Sequence, residues 1–318
     1  IIENSKVIGY ANKESIVSAG KYIADLAKKN KTKIIPLDSE HFSIYNYLIH
    51  SLNKTKIINK IYLTASGGPF LNMNINEFKK ISLKDSINHP TWKMGIKNSI
   101  DSSTMVNKCL EIIEAHYLFN LSYSKLDIII HPESLIHSII KLKDGNLVSN
   151  IFNNDMNVPI FGFLNCEKIL YNKFCEVDLT KIKTLNFFKV DKKKFPILNI
   201  FDQINKKSIS EIIVFNTSNE IAVNLFIKNI IKFVDITKFI KNSLNKFNNY
   251  KINNIKGIIN YQNYVYDEIV NNYYKYLSWM KKFYFIIVLL FFNISFAYSA
   301  NFKNLEIKII GNENLDKE

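Results

Sequence analysis

The sequence predicts an α/β protein with a helical C-terminal part. Residues 6–10, 13–30 and 33–37 read as strand, helix and strand, and mixed strand and helix patterns continue from Asp38 to about Cys175. From Pro196 to about Leu277, apolar residues recur at helical spacing.

The first strand is the short apolar run at 6–10, and the spacing of 13–30 suits one face of a helix before a second strand at 33–37. This is the tail of a βαβ arrangement. No glycine-rich phosphate loop precedes it, so the chain reads as starting inside a fold. Further strands are predicted at 57–64, 126–130 and 147–152. A helix is predicted from about Ser103 to Phe119, with Val106, Leu110, Ile113 and Tyr117 as its apolar face and Asp101 or Ser102 as its cap. The lysine-rich stretch 176–195 reads as a connector, and 218–231 as part of a helical cap domain.

The last forty residues change character. Met280-Lys281-Lys282 leads into the apolar run 283–292 and then small residues up to Ala300, the three parts of a secretory signal peptide. A transmembrane anchor is the rival, but the run is shorter than the ~20 residues a span needs. Residues 301–318 resemble the opening strand of the first periplasmic repeat of an outer-membrane barrel assembly factor. A fused or read-through reading frame accounts for that order.

Composition narrows the function classes. A 47% hydrophobic content over 318 residues fits a globular protein with more than one domain. The net charge of +14 comes entirely from lysine, alongside abundant Ile, Asn, Phe and Tyr. These share A/T-rich codons, and no nucleic-acid module accompanies them, so no nucleic-acid partner is expected. Cys109, Cys166 and Cys175 form no C-x-x-C pair and read as reduced thiols of a cytosolic protein.

The residues that carry chemistry are polar and clustered. Asp38-Ser39-Glu40 follows a strand, and D-x-E in extended chain puts both carboxylates on one side. Paired carboxylates suit Mg²⁺ or Mn²⁺ over zinc, although an ordinary acidic loop has the same spacing. Asn107, Lys108 and Glu111 share a helical face, which fits either a site for a hydroxylated anion or a solvated surface. Ser66-Gly67-Gly68 lets backbone N–H groups approach an anion, or forms a plain tight turn. The segment from His89 through Trp92 to Gly95 suits a lid that excludes water; Trp92 as ordinary core is the alternative.

Taken in order, Asn12-Lys13-Glu14-Ser15, Leu37-Asp-Ser-Glu-His41, Ser66-Gly-Gly-Pro-Phe70, His89-Pro-x-Trp92-x-Met-Gly95 and Asp101-Ser-x-Thr-Met-x-Asn-Lys-x-Leu-Glu111 resemble 1-deoxy-D-xylulose 5-phosphate reductoisomerases. So do His131-Pro-Glu-Ser-Leu-Ile-His137 and Asn216-x-x-Asn-Glu220. The resemblance runs from Ile1 to about Leu277. It implies the isomerisation of 1-deoxy-D-xylulose 5-phosphate and its NADPH-dependent reduction to 2-C-methyl-D-erythritol 4-phosphate, for isoprenoid synthesis. It also implies a cytoplasmic homodimer with no membrane partner for the enzyme part.

By the same resemblance, residues 1–37 are the end of a Rossmann-type NADPH domain, most of which this chain lacks. Residues 38–175 are the catalytic metal and substrate domain, 176–195 a linker and 196–278 the helical domain. Asp38, Glu40 and Glu111 match metal ligands for Mg²⁺ or Mn²⁺. Lys13, Ser39, Glu40, Ser66, His89, Ser102, Asn107, Lys108 and Glu111 match substrate-binding positions, with Lys108, Glu111 and His89 catalytic. Asn12, Glu14 and Gly95 match positions that touch NADPH. The alternative is a metal- and sugar-phosphate-binding remnant without redox activity.

Overall fold

The computed structural model describes residues 1–51, 54–92, 94–165 and 173–272. Cys166, the signal-peptide-like segment 280–300 and the repeat-like segment 301–318 lie outside these residues. Residues 1–267 form one compact unit and 268–318 a second, of which 268–272 are described and helical.

The first unit begins with strand β1 (Val7–Tyr10), helix α1 (Lys13–Asn30) and strand β2 (Lys33–Pro36). β1 and β2 pair in parallel from Val7↔Lys33 to Tyr10↔Pro36, the βαβ tail that the sequence predicts. Asn12 caps α1 by accepting from Ser15 N–H at 2.8 Å. The helix ends at Lys31 in the left-handed region. Helix α2 (Ser39–His50) follows immediately and leads to β3 (Ile58–Ala65). Helix α3 (Leu83–Ile87), α4 (Ile96–Thr104) and α5 (Val106–Phe119) come next.

Strands β4 (Leu126–Ile130), β5 (Ser138–Leu142) and β6 (Leu147–Val148) complete a second sheet in the order β4-β3-β5-β6. β4 runs parallel to β3; β5 runs antiparallel to β3, and β6 to β5. The strand expected at 147–152 stops at Val148, with only a bridge between Ile136 and Ile151 beyond it. Helices α6 (Asn157–Leu164), α7 (Ile197–Gln203), α8 (Ile209–Ile227) and α9 (Phe233–Lys246) follow, and residues 255–267 are helical.

The helix expected at 103–119 is two helices. Met105, at φ 69°, sits between α4 and α5 in the left-handed region, which costs a residue with a side chain about 1–2 kcal/mol. Asp101 and Ser102 therefore belong to the last turns of α4 and do not cap α5. α5 is the centre of the unit: Leu110, Ile113 and Ala115 are fully packed, and α1, β3, β4 and α7 all rest on it. The connector at 176–195 carries a bridge from Phe188 to Ile130 on β4, and its Phe195 is buried. The catalytic and helical segments share one contiguous hydrophobic core.

Candidate active site

The parallel strands deliver the site. β1 ends at Tyr10 just before Asn12 and Lys13, β2 ends at Pro36 before Asp38, and β3 ends at Ala65 before Ser66. Ligands in α/β folds sit outside such carboxyl ends. Antiparallel β5 starts at the same edge, so His137, immediately before it, joins the group. A cavity of about 400 Å³ opens there. It is lined by every site residue expected from the sequence except Gly95, which is the exposed N-cap of α4.

Asp38, Glu40 and Glu111 bring carboxylate oxygens within 4.8 Å of one another. Asp38 and Glu40 meet differently from the extended D-x-E expected. Asp38 is the N-cap of α2 and accepts from Glu40 N–H at 3.2 Å, while Glu40 lies in the first helical turn. Glu111 reaches the same point from α5, one turn beyond Asn107 as its spacing predicts.

Two lysines enter this cluster. Lys13 Nζ donates to Asp38 at 3.0 Å, to Asn107 Oδ1 at 2.9 Å and to Glu111 at 3.3 Å, and it stands 3.6 Å from Glu114. Lys108 Nζ donates to Glu111 at 2.6 Å and also to Glu40. The resemblance assigns both lysines to the anion; in this structure both ammonium groups lie on carboxylates.

His41, fully buried, supports the cluster from behind. Its Nε2–H donates to the Glu111 carbonyl at 2.9 Å, and Nδ1 lies 3.1 Å from Asp38 and 3.9 Å from Glu114. Burial alone would lower its pKa, but the Glu114 and Asp38 charges outweigh burial and raise it to about 9. For Asp38, burial is likewise overcome by Lys13 and His41, which hold its carboxyl well below the usual range. Glu111 goes the other way: burial and then the Glu40 charge raise it to about 7. His41 stands in the Leu37-Asp-Ser-Glu-His41 motif, three residues after Asp38, but carries no assigned role there, and Glu114 is not singled out by the sequence, because its partners Lys13 and His41 lie far from it along the chain.

At the other end of the cavity His89 joins two hydroxyls. Its Nδ1 accepts from the N–H groups of Thr91 at 3.3 Å and Trp92 at 3.0 Å. That fixes the proton on Nε2, which lies 3.1 Å from both Ser66 Oγ and Ser102 Oγ. Burial, with Lys108 adding to it, lowers the His89 pKa to about 4, so the ring is neutral. Gly67 and Gly68, at φ 87° and 64°, make the turn that presents Ser66. The Gly68 N–H donates to Ser66 Oγ at 3.1 Å instead of facing an open anion site.

Trp92 lies edge-on to His137, with ring centroids 6.3 Å apart, and both line the cavity with Ser134. Asn216 and Asn219 are buried in α8 away from the cavity lining, and Glu220 is exposed. Glu14 takes an ion pair from Lys97 at 2.6 Å.

Residues 34–119 match the 1-deoxy-D-xylulose 5-phosphate reductoisomerase C-terminal domain, and residues 152–267 match the DXP reductoisomerase C-terminal domain. A reductoisomerase of that name from Sulfurihydrogenibium sp. (strain YO3AOP1) is 42% identical over 271 residues, covering 85% of this chain and 70% of the relative. The chain belongs to the 1-deoxy-D-xylulose 5-phosphate reductoisomerase family.

The reductoisomerase from Wolbachia sp. subsp. Drosophila simulans (strain wRi) is 43% identical over 265 residues, covering 82% of this chain and 67% of the relative. A crystal structure of DOX-P reductoisomerase with NADPH, fosmidomycin and magnesium superposes with a TM-score of 0.79 at 33% identity, covering 85% of this chain and 70% of that one. The Zymomonas mobilis reductoisomerase with NADPH gives 0.75 at 32% identity, with coverages of 84% and 69%. The mixed α/β class predicted from the sequence agrees with these folds.

Proposed function

We infer that this reductoisomerase converts 1-deoxy-D-xylulose 5-phosphate to 2-C-methyl-D-erythritol 4-phosphate, isomerising the sugar phosphate and reducing the product with NADPH. The observation that carries this is the meeting of three carboxylates, two ammonium groups and a His89-linked pair of hydroxyls in one cavity.

The carboxylates fit a divalent cation. Asp38, Glu40 and Glu111 offer hard oxygen donors close enough for one ion, which suits Mg²⁺ or Mn²⁺. When bound, the cation supplies Lewis-acid polarisation of the substrate carbonyl, and NADPH supplies the hydride. Cofactor contacts on this chain are proposed at Asn12, Glu14 and Gly95. Asn12 fits because its Oδ1 is engaged in capping α1, which leaves its amide N–H₂ as a donor at the cavity rim.

The protein's own groups hold the anion. Because His89 donates Nε2–H to the hydroxyl oxygens of Ser66 and Ser102, both hydroxyls keep their own protons for phosphate oxygens. Lys13 and Lys108 supply positive charge. With a cation held by Asp38, Glu40 and Glu111, the Lys13 and Lys108 ammonium groups would be free to donate to substrate oxygens. Ser39 is held by donating to Glu40 at 2.6 Å, and Asn107 spans Lys13 and Glu111. Remote phosphate binding then orients the reacting carbons, while Trp92 over His137 limits water.

Oxidation of NADPH with 1-deoxy-D-xylulose 5-phosphate and Mg²⁺ or Mn²⁺ tests the reading. Substrate and metal binding by calorimetry without any NADPH oxidation would favour a binding remnant instead.

A homodimer is part of the proposal, supported by the exposed Leu147 on the edge strand β6; a sedimentation mass of one chain would sink it. Among the described residues no helix is long and apolar enough to cross a membrane. We place the enzyme part in the cytoplasm, checked by cell fractionation. The segments 280–300 and 301–318 are proposed to be a signal-like stretch and a periplasmic-repeat start from another frame, checked by the mass of the expressed protein.

A further inference from the structure

The α4–α5 junction is a wall between two cavities. Ser102 and Met105 line the catalytic cavity, while the residues between them, Ser103 and Thr104, line a second cavity of about 480 Å³. That volume falls in the ~300–1,000 Å³ range of small-molecule sites.

The floor of the second cavity is aromatic. Phe78, Phe195 and Phe233 are at most 6% exposed, and Phe78 meets the other two edge-on at centroid separations of 6.3 and 6.2 Å. The rim has one sign of charge: five lysines and no Asp or Glu. Lys194 donates to the Leu71 carbonyl at 2.7 Å and Lys238 to Asp235 at 3.0 Å. Lys79, Lys193 and Lys241 have no ion-pair partner among the described residues.

Lysine is abundant in this chain, so exposed lysines alone mean little. Here three uncompensated ammonium groups from separate segments surround one concave apolar surface, which is complementary to an anion with an apolar tail.

We propose that this cavity binds an organic phosphate with a short apolar tail, the phosphate on Lys79, Lys193 and Lys241 and the tail over Phe78, Phe195 and Phe233, and that occupancy is transmitted to Ser102 and Met105. The shared wall gives the route. Ser103 and Thr104 cannot shift without moving the residues on either side, and Met105 holds a left-handed turn that leaves α4 and α5 as separate segments. The binding site stands on its own chemistry and does not depend on the reaction assigned to the first cavity.

The test uses n-octyl phosphate below its micelle concentration, with inorganic phosphate and 1-octanol as separate probes, read by calorimetry. Octyl phosphate is expected to saturate, with each fragment binding at least about tenfold more weakly. Replacing the exposed Lys79, Lys193 and Lys241 together by alanine is expected to weaken it by at least about tenfold. Lys241→Glu alone should weaken it in the same direction. Equal affinity in the wild type and these variants overturns the site, and equal affinity for inorganic phosphate overturns the role of the aromatic floor. In a Trp279→Phe background Trp92 is the sole tryptophan, and its fluorescence is expected to follow the same binding curve. Calorimetric saturation without a change at Trp92 overturns the coupling.

Discussion

Asn219 on α8 donates a buried hydrogen bond of 2.9 Å to the carboxylate of Asp101 on α4. It crosses 118 residues of sequence and ties the helical segment to the turn that carries Ser102. Asp101 also pairs with Lys97 at 2.8 Å, which in turn holds Glu14 at the mouth of the first cavity. Asn219→Ala leaves one carboxylate oxygen without its donor in a site closed to water. We expect a loss of about 1.5–3 kcal/mol, the range for hydrogen bonds to charged groups. The midpoint of chemical denaturation checks it; a change within error would show that Lys97 suffices.

Glu111→Gln tests the carboxylate cluster. The amide keeps the shape but removes the charge that Asp38 and Glu40 complete. Metal affinity, followed by Mn²⁺ resonance, should fall. Turnover should drop by about two orders of magnitude or more, because Lewis-acid stabilisation is worth several kcal/mol and ~1.4 kcal/mol is tenfold. Unchanged metal affinity would remove Glu111 from the proposed ligands.

Much of this arrangement is legible in the sequence where it depends on neighbours along the chain. The bounds of α1 follow from Asn12 and the helical spacing after it, and Asn107 with Glu111 lies one turn apart as expected. Helix α2 is hidden because Phe42, Ile44, Tyr45 and Tyr47 favour strands, and only packing in the core overrides that preference. No glycine or proline marks the break at Met105. The convergence of Lys13 with Glu111, 98 residues apart, and the support from His41 and Glu114 exist only in three dimensions. Family resemblance could point to Lys13 as a site residue, but not to its seat among carboxylates.

His89 gives the pH dependence a sign. Its folded pKa of about 4 lies below the ordinary 6.5, so between these values the unfolded chain binds the proton and the folded chain does not. The stability associated with neutral His89 is present above pH 6.5 and is lost as pH falls through about 4. His89→Gln should flatten the slope of unfolding free energy against pH in that window, measured by urea titrations at several pH values. An unaltered slope would mean that other groups set it.

The approach of α1 to α5 explains how Lys13 reaches Glu111, and Gly20 makes that approach possible. A Cβ at Gly20 would lie under 3.0 Å from three atoms of the Tyr117 side chain, whose ring fills the space a side chain would take. Alanine is the better helix former by about 1 kcal/mol, so Gly20→Ala would stabilise an isolated helix. In the folded protein the overlap should outweigh that gain, since overpacking costs about 1–3 kcal/mol. We expect Gly20→Ala to lower the denaturation midpoint and to weaken metal binding, because the shift of α5 moves Glu111 relative to Asp38 and Glu40 and spreads the three carboxylates. Tyr117→Ala in the same chain should restore part of the metal affinity by removing the overlap. Failure of that rescue would mean that Gly20 serves the helix alone and not the spacing between the two helices that carry the site.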